Sequence, residues 1–194
     1  MINERISKLR KMMAKRNIDA YIVPSSDPHQ SEYLADYYKT REFITGFTGS
    51  AGTAVITNKK SGLWTDGRYF IQAAKELAVG EVELYKIGVP ESISIEEFLL
   101  QEFPNRGRIA FDGNNTSVAE YENLMRKLPS FEFITDVDYV GEIWNEEGRP
   151  AKPDSKVYIF DEKYSGESTS DRIARLREMM KSRGIDYHFI GSLD

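Results

Sequence analysis

Residues 4–27, ERISKLRKMMAKRNIDAYIVPSSD, return 167 positions later as residues 171–194, DRIARLREMMKSRGIDYHFIGSLD. Without a gap, Arg, Ile, Leu, Arg, Met, Met, Arg, Ile, Asp, Ser and Asp coincide, 11 of 24 positions. Each copy places apolar residues at helical spacing, Ile6, Leu9 and Met13 in the first and Ile173, Leu176 and Met180 in the second, ahead of a short apolar run suited to a strand. Unrelated amphipathic segments share such periodicity, but periodicity alone does not reproduce Arg, Met-Met and Ile-Asp in register. A period of this length belongs to a duplicated domain rather than a solenoid. The second copy is expected to open with a helix and a strand.

The chain's 194 residues, 40% hydrophobic and 12% aromatic, suffice for one core and part of another. Lys and Arg are scattered among an excess of Asp and Glu, net charge -5, with no basic stripe, which argues against nucleic acid. There is no run of 18 apolar residues and no charged-then-apolar leader, so neither a membrane span nor a signal peptide is expected. The lack of cysteine excludes thiol catalysis and thiolate metal ligation and fits a cytoplasmic setting.

After the first strand, Asp27 as a cap, Pro28 and Gln30 predict a helix over 28–34. FITGFTGSAGTAVIT and GLWTDG predict two β segments around a Lys59-Lys60-Ser61-Gly62 turn. RYFIQAAKEL reads as a helix, EVELYKIG as a strand, SIEEFLLQEF as a helix, GRIAFDG as a strand, SVAEYENLMRKL as a helix capped by Ser117 and Glu120, and FEFITDV as a strand. This alternation predicts an α/β fold, a mixed β-sheet sandwiched by helices, with Tyr21, Val23, Val55, Ile109, Phe111 and Ile134 inside. The polar, proline-bearing stretch NEEGRPAKPDSK reads as a joint. The expected organisation is a domain over 1–149, a linker over 150–155, and the incomplete beginning of a second, similar domain over 156–194, opening on a VYIF strand. That piece is too small for its own core. The apolar stripe of Ile173, Leu176, Met180, Tyr187, Phe189 and Ile190 therefore calls for a partner surface, on the first domain or a second copy.

Few residues advertise chemistry. His29 and His188 are the whole imidazole supply, no HExxH spacing occurs, and Ser25, Ser26 and Ser50 lack a GxSxG elbow. The glycine-rich GFTGSAGT lacks the P-loop lysine, and Gly46, Gly49 and Gly52 lead into a strand, so a phosphate cradle is not indicated. In WTDGRYF, Asp66 reads as a helix N-cap. Arg41 and Arg68 have the fork that recognises carboxylates, and structural pairing is the competing reading.

The strings IVPSSDPHQSEYLADYYKTREFITGFTGSAGTAVIT, GLWTDGRYFIQAAKEL, IWNEEGRPAKP and EKYSGESTSDRIARLR resemble the opening of the Xaa-Pro aminopeptidases of the long, three-domain kind, across essentially the whole chain. The resemblance implies two creatinase-like N-terminal domains ahead of a pita-bread catalytic domain. It implies a peptidase that removes an N-terminal residue when proline follows, using two divalent metal ions, usually manganese, which activate a bridging water. No position here matches the metal ligands, so the chain carries no catalytic or metal residue by this reading. His29, Arg41, Phe47, Asp66, Arg68 and Tyr69 are the candidates for the substrate entrance. The implied partners are the catalytic domain, peptides with proline in second place and a second subunit. A stand-alone peptide-binding or interaction module without catalysis is the alternative.

Overall fold

The computed structural model describes residues 1–191, in two units divided between Pro153 and Asp154. In the first unit, α1 (Ile2–Lys15) leads into β1 (Ala20–Val23), and α2 (Thr40–Thr45) precedes a hairpin of β2 (Thr53–Thr57) and β3 (Ser61–Thr65). Then come α3 (Phe70–Glu76), β4 (Val82–Lys86), α4 (Ile95–Glu102), β5 (Arg108–Ala110), α5 (Val118–Lys127), β6 (Glu132–Ile134) and α6 (Tyr139–Glu146). The six strands form one sheet in the order β4-β3-β2-β1-β5-β6, in which β2 alone runs against the others.

Strand periodicity sorts the side chains into two cores. Tyr21, Val23, Ala54, Ile56, Leu63 and Ala110 face a layer built from α1, α2 and α6, where Ile6, Leu9 and Met13 are fully buried. Ala20, Ile22, Val55, Trp64, Ile109 and Phe111 face the opposite layer, where α4 supplies Phe98 and Leu99. Both faces of the central strands are covered, which is why AYIV and TAVIT read as continuous apolar runs. All six residues expected inside are buried. Each such side chain contributes roughly 1.5 to 3 kcal/mol.

Several expectations need correction. Residues 28–34 form no helix; the Asp27 carboxylate instead accepts the N–H groups of His29 and Ser31, and Gln30 sits at φ 55, which ends any helical path. Phe43, Ile44 and Thr45 belong to α2 rather than to a strand, and Gly46, at φ 77, closes that helix. The hairpin turn is Asn58-Lys59-Lys60, one step earlier than expected, with Ser61 and Gly62 already in β3. Asp66 does not cap α3, whose N-cap is Tyr69. The capping box of Ser117 and Glu120 is present, and Ser94 with Glu97 forms a second one on α4. α6 has no counterpart among the expected elements. Past its end, Arg149 is held by Asp138 at 2.9 Å and stacks 3.7 Å from the ring centre of Tyr37.

In the second unit, the short α7 (Glu162–Ser165) precedes α8 (Thr169–Ser182). The 167-residue offset maps α1 onto α8 end for end. It also maps Asn17 (φ 53) onto Gly184 (φ 65), and the bond from Ile18 N–H to Met13 C=O onto that from Ile185 N–H to Met180 C=O, both 3.0 Å. The two helices thus stop by the same local chemistry, whereas they begin differently: the Ser168 side chain caps α8 and α1 starts at Met1 without a side-chain cap. Neither VYIF nor IDYHFIG forms a strand among the described residues of this unit, contrary to expectation. A strand is defined by a ladder partner, and Val157, Ile159, Tyr187 and Phe189 are exposed. The last three residues of the expected second domain lie outside the described residues.

Candidate functional site

Four of the six candidate residues stand in one row along the loop between α2 and β2. The Arg41 guanidinium lies 4.7 Å over the Phe47 ring, Phe47 meets Tyr69 edge-on at 5.8 Å, and Arg68 lies 5.2 Å over Tyr69. Asp66 joins at the end, paired with Arg68 at 2.8 Å. That bidentate pair, together with the Arg68 N–H, holds the Asp66 carboxyl down at about 2. Both partners are exposed, so the pair fixes the shape of the turn more than it adds stability.

Arg41 is interior. Its guanidinium donates to the carbonyls of Phe47 and Gly49 and, at 2.9 Å, to the Ser25 hydroxyl, which in turn donates to the Gly52 carbonyl at 2.7 Å. Burial pushes its pKa down to about 10, which still leaves it charged at neutral pH. Its fork is therefore occupied by the loop's own backbone. Phe47 is fully buried beside it. A side chain at Gly49 would lie within 3 Å of the Phe47 and Tyr69 rings, so the chain can pass here only as glycine. The loop is further tied by Glu76, whose carboxylate accepts the Thr48 N–H and hydroxyl, both 2.8 Å. Against the penalty of burial, those bonds keep Glu76 below its ordinary value. Ser50 and Tyr69 hydroxyls meet at 2.6 Å. His29 stands apart, exposed, on the turn closed by Asp27; no hydrogen bond or ring contact joins it to this row among the described residues.

Beside β1 lies a second polar cluster. Asp112 accepts from Asn114 N–H (2.9 Å) and from the Asn115 amide (2.7 Å), while Tyr21 donates to the Val137 carbonyl. Burial and the nearby charge of Asp138 raise the Asp112 pKa above the ordinary 3.8. A carboxyl with a raised native pKa binds its proton more tightly folded than unfolded. Its contribution to stability therefore grows as pH falls into the window just above 3.8 and is lost as pH rises through the native value. Lowering pH from ~6 to ~4 is thus expected to shift the stability difference between the unaltered chain and Asp112→Asn in favour of the former. Urea melts at both pH values check this, and a flat or opposite trend contradicts it.

On the other face of the sheet, toward the carboxyl ends of β1 and β3, a groove of about 480 Å³ is lined by Ile22, Pro24, Trp64, Phe111, Leu124 and residues of the loop entering α4. Trp64 stacks on Tyr85 at 4.1 Å, and its indole N–H donates to the Ile93 carbonyl at 2.8 Å. The sequence reading did not find this groove.

The creatinase/prolidase N-terminal domain family matches residues 5–142, and a second match of the same description covers residues 148–194. The chain belongs to the creatinase/prolidase N-terminal domain family. Among relatives, the probable Xaa-Pro aminopeptidase P of Laccaria bicolor is 40% identical over 98% of this chain and 30% of its own length. Aminopeptidase P2 of Arabidopsis thaliana is 36% identical over 100% of this chain and 28% of its own. The solved structure of X-prolyl aminopeptidase from Caenorhabditis elegans, described as a cytosolic enzyme with a di-nuclear active site, superposes with a TM-score of 0.82 at 31% identity, over 96% of this chain and 32% of that one. The chain thus spans about 30% of the length of the curated relatives it matches.

Within this creatinase/prolidase N-terminal domain, Arg41, Phe47, Tyr69 and Arg68, separate entrance candidates in the sequence, stand in one row. Its inner half is core, and its outer half, Asp66 and Arg68, is the part that meets solvent. Glu76 and Ser25 were missed as its supports. The signal for Glu76 was its place six residues past Phe70, one turn from Gln72, which also donates to it at 3.0 Å.

Proposed function

We propose that this chain is the N-terminal, non-catalytic part of a metal-dependent Xaa-Pro aminopeptidase, a hydrolase whose whole form releases an N-terminal residue that precedes proline. The observation that carries the reading is end-to-end similarity: 98 to 100% of the chain aligns with about 30% of aminopeptidases P, and 96% of it superposes on one of them. The residues present do not fit a dinuclear centre, for among the described residues no group of three or more His, Asp or Glu side chains could hold a metal ion. The two divalent ions, manganese by family resemblance, are therefore assigned to the pita-bread domain of the parent protein. A cytoplasmic setting accords with the cytosolic description of the worm enzyme, and no helix among the described residues is long and apolar enough to cross a membrane.

In this reading the domain over 1–149 serves substrate gating and assembly, joined by 150–155 to the start of a similar domain over 156–194. Asp66, Arg68 and His29 offer the exposed contacts at the entrance for peptides with proline in second place. Arg41 and Phe47 hold the neighbouring loop between α2 and β2, against which Tyr69 packs. The partners are the catalytic domain and a second subunit.

The purified 194-residue chain is expected to release no N-terminal residue from an Xaa-Pro peptide, with or without manganese. A longer product of the same gene that reaches the catalytic domain is expected to do so. Manganese-dependent turnover by the short chain, absent from buffer, would sink this reading.

A further inference from the structure

The groove on the α4 and α5 side plays no part in that proposal. Its volume, about 480 Å³, lies in the range of sites that enclose a small ligand. Its lining is apolar at the base, from Ile22, Trp64, Phe111 and Leu124, while among the described residues its charged members are Glu96, Glu97 and Glu120, with no Lys, Arg or His. The helix ends nearby do not reverse that sign. The first-turn N–H groups of Glu97 and Glu120 are taken by Ser94 and Ser117, and each glutamate's carboxylate returns to its own cap. Glu96 is offset by Lys127 at 2.8 Å, so Glu97 and Glu120 set the charge of the rim. The Ser92 hydroxyl, also in the lining, is shielded from solvent and has no hydrogen-bond partner among the described residues.

An anion in this groove would face the carboxylates, and a neutral apolar molecule would leave them without a counter-charge. A cation carrying an apolar body satisfies both parts: its body removes apolar surface from water, and its charge faces the exposed carboxylates of Glu97 and Glu120 in the groove's lining. We infer that the groove binds an organic cation with an aromatic or branched apolar body, of the size of a protonated arylalkylamine.

Trp64 is one of two tryptophans, so in a Trp144→Phe background its emission reports on the groove. That chain, at full length, is titrated at neutral pH with phenethylamine, 3-phenylpropanoate and 2-phenylethanol, which share a ring and differ in charge. Phenethylamine is expected to give a saturable change in Trp64 emission, with affinity at least about tenfold above either other probe. Glu97→Gln with Glu120→Gln keeps both capping boxes, which accept Gln, and removes both charges. This pair is expected to weaken phenethylamine binding about tenfold or more while leaving the melting temperature within about 2 °C. Equal affinity for the three probes, no saturation by about 10 mM amine, or unchanged affinity in the double variant overturns the inference. Should the double variant fail to fold, the unaltered pair of glutamates is tested by salt: several-fold weakening of amine binding at about 1 M supports the inference, and insensitivity overturns it.

Discussion

Replacing Arg41 with methionine is expected to lower folding stability by about 3 to 4 kcal/mol, read from urea or guanidinium melts. The side chain is 4% exposed and serves three acceptors, the carbonyls of Phe47 and Gly49 and the hydroxyl of Ser25. Methionine keeps an unbranched stem near Phe47 but leaves two shielded carbonyls without a donor, at roughly 1 to 3 kcal/mol each. Relief from burying a guanidinium, whose burial already pulls its pKa down to about 10, offsets part of that loss. Lysine should recover less than half, because one ammonium on a flexible stem does not span both carbonyls and Ser25. A loss below about 1 kcal/mol would show that the glycine loop holds its shape without this residue.

Trp64→Ala is expected to cost about 3 to 5 kcal/mol, a large fraction of a typical 5 to 15 kcal/mol total. Trp64 is 2% exposed, stacks at 7° on Tyr85, meets Phe98 edge-on at 5.1 Å and donates to Ile93. Alanine leaves a cavity and an orphaned carbonyl together. The rings sit over Gly62, where an added side chain would come within 2.7 Å of both Trp64 and Tyr85, so the position beneath offers no side chain to fill the space the indole leaves. Trp64→Phe keeps a ring and loses the indole bond, for about 1 to 2 kcal/mol. Thermal melts of the two variants side by side test this, and equal midpoints would refute it.

Local chemistry was legible in the sequence. The capping box at Ser117 and Glu120, the short apolar run that buries Tyr21 and Val23, and the α/β order all rest on neighbours within a few residues, and they stand in the structure. Where two local schemes competed, reading failed. Asp27 can cap a helix or close a turn with the same oxygen, and Gln30, at positive φ three residues on, decided for the turn. The groove was invisible for a different reason: Ile22, Trp64, Ile93, Phe111 and Leu124 come from five segments spread over about 100 residues, and only the sheet order brings them together.

The repeat shows where that division falls. Sequence alone determined that each copy holds an amphipathic helix, since periodicity resides in the helix itself; in the structure the two span residues 2–15 and 169–182 with matched stops. Burial was decided elsewhere. Ile6 is fully buried because α2, α6 and the sheet lie against its helix, whereas Ile173, the same residue in the same register, is 43% exposed. An apolar stripe states only that a surface gains by leaving water; whether it does so depends on a facing layer, which no helix encodes in its own residues.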